Sequence, residues 1–185
     1  MNFTYTAQPT GTDIVSLSDM KEFLRVDSTD EDTTITALLD AAVQSIQDYT
    51  GLHFKDTTWL YSMQYMRNVV IPYGATTIGG LTYYNTAGGT TSLTNNTDFY
   101  WGFENGALKL KIIEMPSNII DDKMDAVNIT GTVVNQINPA LTHAVKMLVA
   151  HYYENRRAAV VGATTSVMPF GIRSIINPYR LIHLK

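Results

Sequence analysis

Apolar residues recur at spacings of three and four near both ends of this chain, and alternate or gather in short runs through its middle. The first pattern puts side chains on one face of a helix, and alternation puts them on one face of a strand. Three helices are predicted. The first spans "SLSDMKEFLRV" at 16–26, with Ser16 as cap, Asp19 three residues on as a weak capping box, and Leu17, Met20 and Leu24 on one face. The second is the clearest: Ile35, Leu38, Leu39, Ala42, Ile46 and Tyr49 share a face, and Gly51 supplies a left-handed stop. At about 18 residues it makes a rod of roughly 27 Å. The third opens at Asn138, a good cap, with Pro139 in the first turn where its missing amide is no loss. Leu141, Ala144, Val145, Leu148, Val149 and Tyr152 form its apolar stripe, which runs to about Asn155.

Between Thr57 and Val134 the texture becomes rich in Thr, Tyr, Gly and Asn. "WLYSMQY", "NVVIP" and "DAVNITGTVV" are β-prone, "ALKLKII" alternates apolar and basic residues, and "TIGGLTYYNTAGGTTSL" reads as two strands around an "NTAGG" turn. About five to seven strands are predicted, antiparallel because no helical pattern intervenes to make crossovers. The expected fold class is α+β: a small core of three main helices, an inserted antiparallel strand-rich section and an extended C-terminal tail. The predicted divisions are 1–56, helical; 57–135, the strand-rich insertion; 136–157, the helix completing the core; and 158–185, the tail.

That tail poses a question. "MPFGIRSIINPYRLIHLK" is rich in apolar residues yet broken by two prolines and a glycine. Two outcomes are open on physical grounds. Met168, Pro169, Phe170, Gly171, Ile172, Ile175, Ile176, Pro178, Tyr179, Leu181 and Ile182 could fold back as an extension of the core. Left exposed, they would make a patch large enough to predict association, draped over a neighbouring protein.

Composition narrows the function classes. A chain of 185 residues allows one substantial domain, or a small one with a large insertion, and 45% hydrophobic with 16% charged residues is a globular balance. With no cysteine, disulfides and thiolate metal sites are excluded. The start "MNFTYTAQPTGTD" lacks the basic region and apolar core of a signal peptide, and no apolar run approaches the ~18 residues of a membrane helix, so a non-membrane chain is expected. Charge is uneven: residues 1–139 hold 7 Lys/Arg against 16 Asp/Glu, a net −9, whereas residues 140–185 hold 6 against 1, a net +5. Such asymmetry marks either a surface meeting an acidic partner or a solvated face.

Reactive chemistry is scarce. His151 and Glu154 have a spacing found in carboxylate-bridged metal sites, but the pair is two ligands only, and Asp40 and Asp48 do not complete a cage. His143 and His151 are too far apart for a zinc-protease pair. "DSTDED" lacks the glycine and distal glutamate of an EF-hand loop, and acids at a helix start explain it better. No phosphate loop or nucleophile elbow occurs. No catalytic, cofactor-binding or metal site is therefore assigned. Tyr83, Tyr84, Tyr100 and Trp101 could stack on sugars or bases, although aromatics on strands more often pack a core or sheet face; this gives an alternative reading, a carbohydrate- or ligand-binding β module on a helical scaffold. Arg156, Arg157, Arg173 and Arg180 are basic, but no nucleic-acid reader motif accompanies them.

Two blocks carry a resemblance. "DIVSLSDMKEFLRVDSTDEDTTITALLDAAVQSIQDYTGLHF" resembles the N-terminal signature of the head–tail connector (adaptor, head-completion) proteins of tailed bacteriophages: a short capped helix ending in "LRVD", acidic residues, then a long helix closing on "YTG". "AVKMLVAHYYENRRAAVVG" followed by "MPFGIRSIINPYRL" is similar to that family's helix end and "PFG…PYR" tail. Together the blocks cover roughly half the chain. Arg157 and Arg173 depart from positions that are often acidic in the family, so partner contacts there are expected to differ.

The resemblance implies a structural protein of the virion neck, assembled in the host cytoplasm. It would form a homo-oligomeric ring, twelve-fold in the virion, beneath the portal protein. DNA would pass through the channel without sequence-specific binding, and a neck stopper or tail-completion protein would sit on the far side. The C-terminal segment is implicated in portal contact. The residues expected to make it are Phe170, Arg173, Ile175, Ile176, Pro178, Tyr179 and Arg180.

Overall fold

The structure, a computed structural model, describes residues 2–71, 75–104, 107–155 and 169–181. Contacts divide these residues into two compact units. One holds the strands and is built from 2–8 and 55–135 with Leu181; the other is helical and is built from the spans 9–54 and 136–180.

In the helical unit, α1 (Gly11–Ile14) and α2 (Leu17–Leu24) lead into α3 (Asp32–Thr50), and α4 (Pro139–Glu154) and α5 (Phe170–Ile176) follow the strand section in sequence. The predicted caps are in place. Ser16 accepts from the Asp19 amide at 3.1 Å, and Asn138 accepts from the Leu141 amide at 3.1 Å. Gly51 closes α3 at φ 74°, where a side chain would be strained. The core gathers Met20, Ile35, Leu39, Ala42, Ile46, Phe54, Leu141, Ala144, Val145, Leu148 and Val149, all at most 1% exposed. α1 meets α3 so closely that a Cβ on Gly11 would lie 2.4 Å from Leu39 Cβ, while the Gly11 amide donates to Asp40 Oδ1 at 2.6 Å.

In the strand unit, β2 (Thr57–Met63), β4 (Thr77–Tyr84), β5 (Thr90–Leu93) and β8 (Val127–Val133) form a sheet with β1 (Asn2–Tyr5), in the order β1-β2-β8-β4-β5. β3 (Val69–Ile71), β6 (Phe99–Glu104) and β7 (Ala107–Ile112) form a second sheet, in the order β3-β7-β6. The pairings within both sheets are antiparallel. One cluster joins Trp59, Met63, Leu81 and Ile129 of the first sheet to Ile71, Phe99, Leu108 and Leu110 of the second. The alternation in "ALKLKII" has this origin: Leu108, Leu110 and Ile112 are buried, while Lys109 and Lys111 face outward. The "NTAGG" turn joins β4 to β5. Asn85 Oδ1 accepts from Ala87 and Gly89 at 3.1 and 3.0 Å, and Gly88 takes φ 82°.

Two segments fall differently from the expected divisions. The first residues belong to the strand unit: β1 pairs with β2 from Asn2↔Ser62 to Tyr5↔Trp59, and Phe3 stacks on Trp59 with ring centroids 5.6 Å apart. The C-terminal segment is not extended over its described residues. It forms α5 and a 3-10 turn at Asn177–Tyr179, with Ile172 and Ile176 buried in the helical core. The reason is a second apolar period: residues 172, 175, 176 and 179 share one helical face. Met168, Arg156 and Arg157 lie outside the described residues.

Candidate partner-binding segment

Pro169 stands just before α5 in extended backbone, φ −56° and ψ 144°, and its carbonyl accepts from the Ile172 and Arg173 amides, each at 3.1 Å. The proline at the start therefore stands at the cap of a helix instead of breaking one. Pro178 sits in the first turn of the 3-10 segment, where no amide is missed. The Arg180 amide closes that turn onto Asn177 O at 3.1 Å.

The inward face of this segment is fixed by Ile172 and Ile176, 1% and 0% exposed, with Ile175 and Tyr179 half-buried beside them. α3 adds polar ties. Tyr49 donates its hydroxyl to Asn177 Oδ1 at 2.5 Å, and the Arg180 guanidinium lies 5.3 Å from the Tyr49 ring centroid. The outward face carries Phe170, 87% exposed, with Arg173, Pro178 and Arg180.

Of the seven residues expected to meet a partner, four thus stand outward and two, Ile175 and Tyr179, offer an edge. Ile176 does not: it is packed within its own unit and serves the core. Three residues outside the expected contact set hold the segment in position: Ile172 and Tyr49, read from the sequence only as apolar positions, and Asn177, which the sequence reading passed over. Their signal was partly present in the 172, 175, 176, 179 spacing.

The remaining candidates disperse. Among the described residues no three His, Cys, Asp or Glu gather as a metal site. The side chain of His151 contacts Asn155 at 3.3 Å, one turn along the same helix. The acids of "DSTDED" tie down their own unit: Asp32 bonds Lys21 at 2.6 Å, Glu31 accepts from the Tyr153 hydroxyl, and Asp30 accepts from Ser28 at 2.8 Å. The four aromatics make no common platform. Tyr83 is buried with its hydroxyl on Asn118, Tyr84 lies under Lys123, and Tyr100 and Trp101 belong to the other sheet. No helix among the described residues is long and apolar enough to cross a membrane.

Comparison with known proteins adds the following. The profile of a family described as "Head completion protein" matches residues 13–182. No curated protein sequence matches. Among solved structures, a chain from the virion of a native gene transfer agent (GTA) particle is similar at 19% identity with a TM-score of 0.72. A chain from the neck of an empty GTA particle computed with C6 symmetry is similar at 18% and 0.71, and one from the neck of a native GTA particle computed with C12 symmetry at 17% and 0.70. Each likeness covers 100% of this chain and 98% of the other.

Proposed function

Because this chain belongs to the head completion protein family, we propose that it is a ring-forming head–tail connector. It docks beneath the portal of a phage-like particle, extends the DNA channel and presents a platform for the next neck or tail protein. The family is of a structural, virion kind rather than an enzymatic one. The observation that carries the reading is the family match across 13–182, nearly the whole chain. The likeness to chains in necks computed with C6 and C12 symmetry supports a closed ring, twelve-fold in the particle. Such a ring closes because each copy presents two different, complementary faces.

The outward face of α5 is the portal contact in this proposal. Phe170 is the apolar anchor, and Arg173 and Arg180 pair with portal carboxylates. Exposed ion pairs contribute about 0.2–1 kcal/mol each, so the aromatic anchor dominates. The net −9 of residues 1–139 suits a channel wall that repels phosphates and lets the duplex slide.

The test is to mix the purified chain with purified portal and examine the product by native mass spectrometry and electron microscopy. A ring of this chain on the portal is expected. A persistent monomer that ignores the portal overturns the proposal. Particles lacking the chain should fill their heads yet fail to join tails or to hold their genome.

A further inference from the structure

The helical unit carries a cleft of about 500 Å³ along the first half of α4, lined by Ile137, Asn138, Pro139, Thr142, His143 and Lys146. The ring of Phe23, 42% exposed on α2, meets His143 edge-on with centroids 6.3 Å apart. Ile137, Pro139 and Phe23 give this region an apolar character. Among the described lining residues, Lys146 is the one permanently charged group. Such a surface accepts apolar side chains accompanied by carboxylates.

That complement exists at one end of the strand unit. β2 ends and β8 begins there, because Met63 pairs with Val127. Tyr65, Ile113, Met115 and Met124 are 58%, 47%, 54% and 82% exposed in the loops at this end. Gln64 Nε2 donates to Asp121 O at 3.1 Å, tying the two loops together. Glu114, Asp121 and Asp122 are exposed and, among the described residues, make no ion pair. Lys123, in the same loop, is held over the Tyr84 ring at 3.2 Å and beside Asp125 at 3.9 Å. Arg67, in the loop that carries Tyr65, and Lys123 are the cations at this end, set against Glu114, Asp121, Asp122 and Asp125, so the loop end is apolar with an excess of carboxylates.

We propose that the occupant of the helical cleft is a second copy of this chain, whose loop end enters with Met124 leading and Asp121 and Asp122 facing Lys146. An unbranched thioether suits an irregular cleft. Every copy owns both surfaces, and they differ, so the contact is heterologous and can repeat from copy to copy, giving a ring where the rotation between copies completes a circle. The proposal rests on the ring reading above and leaves the outward face of α5 free for the portal.

The absence of native cysteine makes the test direct. A chain bearing Met124→Cys and His143→Cys is oxidised, both concentrated alone and within necks purified from particles, and run on a denaturing gel. A ladder of disulfide-linked species beyond the dimer is expected, whereas either single variant, with no thiol facing its cysteine across this contact, stays monomeric. In parallel, Lys146→Glu should weaken self-association at least tenfold, and adding Asp121→Lys with Asp122→Lys should restore it. A double-cysteine chain that gives no ladder overturns this contact while the unmodified chain still forms multimers by native mass spectrometry; the ring reading then survives. A chain that is monomeric in both settings removes the ring reading and this contact with it.

Discussion

Tyr49 on α3 donates its hydroxyl to Asn177 Oδ1 at 2.5 Å, joining two residues 128 positions apart in the chain. This bond, with the burial of Ile172 and Ile176, makes residues 169–180 part of the helical unit. Its two faces therefore answer to different substitutions.

On the inward face, Ile176→Ala should destabilise the helical unit by about 2–5 kcal/mol, the range for truncating a buried isoleucine. Removing the chain after residue 168 should do more, since it strips the core of both Ile172 and Ile176. Denaturant unfolding followed by tryptophan-independent far-UV signal checks this. A truncated chain with an unchanged midpoint would mean the inward face contributes nothing.

On the outward face, Phe170→Ala should change stability by no more than about 0.5 kcal/mol, because the ring is in solvent. Portal binding should nevertheless fall by roughly 30-fold, the loss of about 2 kcal/mol expected for an aromatic anchor. Arg173→Glu should weaken binding less, and its effect should shrink as salt is raised. Titration against purified portal at two ionic strengths separates the two variants.

Much of this segment was legible, and one property hid the rest. Pro169, Gly171 and Pro178 look like breakers, which argued for extended chain. Pro169 instead stands before the first turn and Pro178 opens the 3-10 turn, both places where proline is tolerated, so the apolar period survived between them. The three long helices and their caps were readable because spacing and cap chemistry are local. β1 was not, since a four-residue strand is defined by its partner β2, whose pairing lies more than fifty residues away. β6 was likewise noticed only for its aromatics. Which outward residues meet a partner is a property of exposure, and exposure is set by packing that no single stretch reveals.

In the strand unit, Gly131→Ala should be severe. A Cβ there would lie 2.0 Å from Thr77 O and 2.4 Å from Trp59 Cζ2, so the sheet must shift to admit it. A loss of at least ~1–3 kcal/mol is expected, the range for overpacking. Intrinsic fluorescence of Trp59 and Trp101, both in the strand unit, reports it during urea unfolding. By contrast Gly102→Ala, where a Cβ meets nothing within 4 Å, should be close to neutral.

At the start of α4, Asn138→Ala removes the acceptor for the Leu141 amide and should cost about 1 kcal/mol, with Asn138→Asp largely retaining the cap. Thermal unfolding of the three chains orders them. Equal midpoints for Ala and Asp would show that the side-chain oxygen is idle.

The division of α5 into an inward and an outward face makes assembly conditional. Phe170 and Arg173 are displayed as a pair only while Ile172 and Ile176 are seated, so in the proposed role a copy that has not folded would offer a portal nothing to grasp. On the connector reading proposed above, incorporation would thereby inspect each subunit before admitting it, and a defective copy would be left behind instead of being built into the neck.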